Sequence, residues 1–210
     1  MKIDAGNKVF LALVYATLMA QWLLTYATGE YLQKHPDRAA YLQKYLVLIV
    51  IAMLAAVVGV VVARRNVVVS VAMMAVFAVL SGILLQAAVK YVPAEVVRAA
   101  ALGTAGIFLA MTALTFGGLD LSAFAGAMFI ALTALVIGNI VTSLAGSHLQ
   151  GLHKILVITG LVLFAAFVSL DTTQIISRDY AGNFAAAAFD LYLDTSNIFV
   201  SIVDLASGES

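Results

Sequence analysis

The stretch FAAAAFDLYLDTSNIFVSIVDL, residues 184–205, decides how this chain folds. It is long and apolar enough to cross a bilayer, which takes about 20 residues of helix, yet it carries Asp190, Asp194 and Asp204. An aspartate at the centre of a membrane helix costs about 2.5–3.5 kcal/mol. Only a helix shielded by other helices holds three of them. Asp190, Asp194, Asn197, Ser201 and Asp204 follow one another at steps of four, three, four and three, which draws a single polar stripe along one helical face. Phe189, Leu191, Leu193, Ile198, Phe199 and Ile202 lie off that line. The stripe is expected to face a bundle interior, a partner carboxylate or a wet cavity rather than lipid, which makes this last helix the central one.

The rest of the chain supplies the shield. Of the 210 residues, 64% are hydrophobic and 10% charged, and mean hydropathy is +1.08, whereas soluble domains are about a quarter charged. That composition is an integral membrane protein's. Apolar runs of spanning length lie at Val9 to Thr28, Tyr45 to Ala63, Val67 to Val89, Ala99 to Phe116, Leu121 to Ala145 and Ile155 to Leu170. With Phe184 to Leu205 they predict seven transmembrane helices. No segment keeps the alternation of period two that a membrane barrel requires, so the fold class is all-α, a polytopic membrane bundle forming one domain over residues 1–210. The longest predicted loop, Gly29 to Lys44, holds Pro36, one of two prolines. The N-terminus has Lys2 and Lys8 but no short apolar region with a small-residue cleavage site, so the first span is expected to stay in the mature protein. There is no cysteine, which removes disulfides and thiol catalysis.

Orientation is nearly balanced. Lys2, Lys8, Arg64, Arg65 and Arg178 fall on one side, and Lys34, Arg38, Lys44, Lys90, Arg98 and Lys154 on the other, five basic residues against six. The positive-inside rule does not separate these numbers; the tight Arg64–Arg65 loop favours a cytoplasmic N-terminus, and the expected location is the cell membrane. Trp22, Tyr26 and Tyr31 read as an interfacial aromatic belt. Small residues four apart, Ala52 and Ala56, Ala55 and Gly59, Ala127 and Ala131, are expected to let helices approach closely.

Asp171, at the end of the sixth span, pairs with Asp194 by count: the midpoint between them falls between Gly182 and Asn183. That is where the turn signal lies, in Arg178-Asp179-Tyr180-Ala181-Gly182-Asn183. An antiparallel hairpin turning there holds both carboxylates at one level. Two carboxylates brought close in a low dielectric do not both ionise cheaply, so such a pair would share a proton near neutral pH. Loss of the proton leaves two repelling charges able to shift helices, and the same charges attract a cation. Buried acids are also satisfied structurally by serine, threonine or backbone partners, and Asp204 near the C-terminus reads as interfacial. His148 and His153, five apart, do not share a helical face, which argues against a metal site there.

The residues Leu191-Tyr192-Leu193-Asp194-Thr195-Ser196-Asn197-Ile198-Phe199 and Ser169-Leu170-Asp171-Thr172-Thr173-Gln174-Ile175 resemble the signatures of the transmembrane Bax-inhibitor-motif family. Arg64 and Arg65, and Ser81-Gly82-Ile83, add to the likeness. Its bacterial members are compact seven-helix, pH-sensitive calcium-leak proteins. The resemblance implies a last helix wrapped by the other six, an aspartate pair, Asp171 and Asp194, as pH sensor near the cytoplasmic side, and an arginine, Arg64 or Arg65, latching one of them. It also places Met53 where the family's second helix usually carries a glutamate approaching the pore.

Three functions compete on these residues. A pH-regulated calcium pathway would use Asp171 and Asp194 as sensor and weak calcium ligands, with Asp190 and Asn197 along the pore. Calcium prefers about six to eight oxygens, and weak binding suits conduction. A proton-coupled cation exchanger would use the same pair. An intramembrane aspartyl protease also sets one aspartate on each of two helices, but it carries Tyr-Asp and Gly-x-Gly-Asp, whereas Leu170 precedes Asp171 and Leu193 precedes Asp194. The expectation is a non-enzymatic leak protein with no cofactor and no nucleic-acid partner, handling calcium and protons within a lipid bilayer.

Overall fold

The structure, a computed structural model, describes residues 5–145, 149–177 and 180–208. Among these residues every regular element is helical. In order they are α1 (Ala5–Lys34), α2 (Pro36–Gln43), α3 (Leu46–Val62), α4 (Val67–Val89), α5 (Ala94–Phe116), a short 3-10 turn (Ser122–Phe124), α6 (Ala125–Ala145), α7 (Gln150–Ser177) and α8 (Phe184–Ser207). Six of these helices are long and apolar enough to cross a membrane. The seventh predicted span is α3, whose 17 residues stand at the short end of the roughly 17–25 that cross a bilayer; α2 precedes it, bent from it by 78°.

The region Gly29 to Lys44 departs from its reading as a loop. α1 continues to Lys34, and α2 takes up most of the remainder. Pro36 explains the break: its ring disfavours a helical residue before it, and His35 accordingly sits at φ −127°, ψ 70°. The same proline starts α2 well, because a first helical residue needs no N–H partner. The aromatic belt also shifts. Trp22 lies about 18 Å before the end of α1 at 1.5 Å per residue, and its ring meets that of Tyr192 at 5.2 Å.

Two compact units are distinguished, one comprising Met1–Tyr91 with Gln174–Tyr192 and the other Val92–Thr173 with Leu193–Ser210. In the first, α4 packs against α1, α2 and α3, around a core of Leu32, Ala39, Ile49 and Ile83. Met53 packs against that core as an apolar side chain. Close approach is built in at Gly82, where a Cβ would stand 2.6 Å from the Thr25 carbonyl oxygen and 2.7 Å from Thr28 Cβ. Gly59 lies similarly against Met73 of α4, at 2.9 Å. In the second unit the core is Met128, Leu135, Leu163, Phe167 and Leu170.

α8 is the most enclosed of the six spanning helices. In its most apolar window 61% is buried, against 11–44% in the others. Phe189, Leu191, Tyr192 and Ile198 are buried to within 1% of full enclosure. A helix this rich in aspartate requires such shielding.

Candidate functional site

α8 begins at a turn whose geometry depends on two left-handed residues, Ala181 at φ 50° and Gly182 at φ 82°. Glycine adopts such a φ without steric cost. Asn183, 2% exposed, then caps the helix: its Oδ1 accepts from the N–H groups of Ala185 and Ala186, both at 3.1 Å. Its Nδ2 donates to the Arg64 carbonyl and to Ser70 Oγ, both at 2.9 Å. One side chain thus ties the first turn of α8 to the loop between α3 and α4.

That tie positions Arg64. Its Nη2 donates to Asp190 Oδ2 at 2.9 Å, and the Tyr180 hydroxyl donates to the same oxygen at 2.9 Å. The guanidinium lies 5.5 Å from the centre of the Tyr180 ring. Asp190 is shielded more than its partner, with side-chain exposures of 22% and 49%. Arg65 is exposed and forms no ion pair among the described residues. Of the two arginines expected to hold Asp171 or Asp194, Arg64 therefore meets Asp190.

Farther along, Tyr192 is fully buried beside α1 and α4, with its hydroxyl 2.7 Å from Thr25 Oγ1 and its ring edge-on to Phe77. Tyr192 stands two residues from both Asp190 and Asp194, so it occupies another face of α8.

In the second unit, Asp171 of α7 is 9% exposed and Asp194 of α8 is 5% exposed. Asp171 stands six residues before the end of α7 at Ser177, and Asp194 ten residues after the start of α8 at Phe184. Ser169, Thr172 and Thr195, within two residues of them along the chain, are also buried. Ser169 Oγ lies 2.7 Å from Thr115 Oγ1 of α5. Thr112 Oγ1 and Thr172 Oγ1 are buried with no hydrogen-bond partner among the described residues. Asn197 is partly satisfied by its own helix, donating to the Leu193 carbonyl at 2.7 Å. Among the described residues no group of three or more His, Cys, Asp or Glu is gathered to hold a metal.

Asp204, read as interfacial, lies 2.9 Å from His153 Nε2, and both side chains are nearly half exposed. His148, Arg178 and Asp179 lie outside the described residues. The threonines of α5 escaped the reading of the sequence. Thr104, Thr112 and Thr115 are all buried in an otherwise apolar helix, and their near-helical spacing was the signal available.

An all-helical chain with several membrane-spanning helices and carboxylates enclosed in its last two defines a polytopic membrane protein with an acidic interior. This chain belongs to the Bax inhibitor family: residues 7–210 match the family model described as "Inhibitor of apoptosis-promoting Bax1". It is similar to Bax inhibitor 1 of Schizosaccharomyces pombe, 26% identical over 200 residues that cover 93% of this chain and 75% of the relative. It is also similar to the Golgi anti-apoptotic protein of Vaccinia virus (strain Lister), 28% identical over 203 residues covering 93% of this chain and 84% of the viral protein.

Proposed function

We propose that this chain is a proton-gated calcium leak in its membrane, with Asp171 and Asp194 as the sensor and as transient ligands for the passing ion. The observation that carries the reading is the burial of both carboxylates, at 9% and 5% exposure, on the last two helices of a bundle where charge is costly. Protonated, the two acids let α7 and α8 rest together. Once both are ionised, their repulsion opens a path and their oxygens replace part of the calcium hydration shell. Asp190 and Asn197 continue the polar stripe along which the ion would move.

The pairing of Arg64 with Asp190 supports a division of labour. Arg64 neutralises the acid nearest the turn and leaves Asp171 and Asp194 to titrate. The relatives' names attach Bax inhibition and an anti-apoptotic role to those proteins; for this chain the corresponding proposal is control of calcium held behind its membrane, with the N-terminus in the cytoplasm.

The test is calcium flux into liposomes holding the purified chain, followed across a pH series. Flux should change with pH in the wild type, and Asp171→Asn and Asp194→Asn should each flatten that profile. A wild type with no pH-dependent flux, or variants that keep the profile, would refute the proposal. Proton counter-movement at a fixed ratio to calcium would instead select an exchanger.

A further inference from the structure

The region from the end of α1 to the start of α3 forms a surface that the ion pathway does not use. α2 meets α3 at 78°, so beside a membrane-crossing α3 it runs along the bilayer surface. Tyr31, Tyr41 and Tyr45 are all exposed there, as expected of tyrosines at headgroup level.

Two depressions, of about 420 and 410 Å³, share Tyr31, Leu32 and Leu42 and so form one groove. Its mouth is bordered by Asp37, Arg38 and Tyr41. Its lower part continues past Ala27, Val79 and Ile83, one helical turn deeper along α1. The groove is thus polar where it meets the membrane surface and apolar below.

Arg38 is held in place at the mouth. Its guanidinium lies 5.4 Å from the centre of the Tyr31 ring and donates to the Tyr31 hydroxyl. It makes no ion pair among the described residues, whereas nearby Lys34 is paired with Glu30 at 2.6 Å. Asp37 borders the same mouth, and Arg38 is the one cationic side chain in the groove's lining. A planar guanidinium with free N–H groups matches a phosphate oxygen pair.

We infer that this groove binds one glycerophospholipid, with its phosphodiester on Arg38 and the upper part of an acyl chain along Leu32, Leu42, Val79 and Ile83. A phosphodiester matches the guanidinium of Arg38, the one cation lining the groove, and the apolar depth matches a chain that a free anion lacks.

The experiment is native mass spectrometry of the full chain purified in mild detergent, with phosphatidylglycerol or inorganic phosphate added. The wild type should retain one phospholipid, and Arg38→Ala should lower that occupancy at least tenfold. Val79→Trp, placed at a partly lipid-facing position to fill the lower groove, should lower it as well. Thermal unfolding of each variant, unchanged from the wild type, shows that the fold is intact. Equal retention by the wild type and Arg38→Ala would overturn the inference. So would full retention in Val79→Trp, or binding of inorganic phosphate that displaces the lipid, which would mark an anion site without a chain groove.

Discussion

Asn183 and Arg64 show how much a few polar residues organise when water is excluded. Asn183 uses both ends of its amide, capping α8 and holding the Arg64 and Ser70 segment. Removing it deletes a cap and two buried hydrogen bonds, so Asn183→Ala should cost about 2 kcal/mol. Asn183→Asp keeps the capping acceptor but loses both donors and should fall between the two. Unfolding in mixed detergent micelles, read by the signal of Trp22, measures both. The Arg64 and Asp190 pair is partly exposed, so its coupling should be about 1 kcal/mol, the upper end for such pairs. A double-mutant cycle with Arg64→Ala and Asp190→Asn would detect it, and zero coupling would show that the contact carries no energy. Tyr180→Phe should weaken that coupling, because it removes the second donor to the same carboxylate oxygen.

At the scale of helices, closeness is set by glycine. Gly82→Ala pushes a methyl group into the backbone of α1 and should destabilise by about 1–3 kcal/mol. Gly106 in α5 has nothing within 4 Å of an added Cβ, so Gly106→Ala should be neutral or gain about 0.5–1 kcal/mol from helix propensity. A thermal-stability comparison separates the two glycines. The turn before α6 has a pH signature. The Ser122 hydroxyl and N–H bond to Asp120 and hold its carboxyl below the usual carboxylate range. A lowered pKa stabilises the turn above about pH 4, the ordinary value for aspartate, and the contribution is lost as pH falls through the folded value. The protection of the Ser122 amide against hydrogen exchange, taken relative to its intrinsic rate at each pH, should fall on that acid side in the wild type and show no such step in Asp120→Ala.

Much of this was legible in the residues. Val67–Val89 matches its predicted span end for end, because Asn66 caps one end and a charged residue follows the other. The enclosure of α8 followed from the cost of its aspartates. The elbow at α2 was hidden because its polar composition resembles a loop, and only the proline shows that a new helix starts there. Arg64's choice of Asp190 was hidden as well. It depends on Tyr180 and Asn183 folding back over the turn, a contact that spacing along one helix does not encode.

For the molecule as a whole, counting α2 with α3 as one span gives seven crossings, which would put Lys8 and Ser207 on opposite sides of the membrane. Because the sequence contains no cysteine, Lys8→Cys and Ser207→Cys each provide a single label with no background. In sealed vesicles an impermeant maleimide should reach one and not the other; labelling of both from the same side would reduce the count to six. The bent pair also bears on where such a protein resides. α3, with 17 residues, rises about 25 Å, less than the roughly 30 Å hydrocarbon interior of an average bilayer. The shortfall is relieved in thinner sheets of lipid, since mismatch costs fractions of a kcal/mol per Å. Reconstituted in lipids of graded acyl length, the protein should be most heat-resistant in the short ones. Inside a cell, that preference would favour compartments bounded by thin membranes over the thick, sterol-stiffened envelope at the surface.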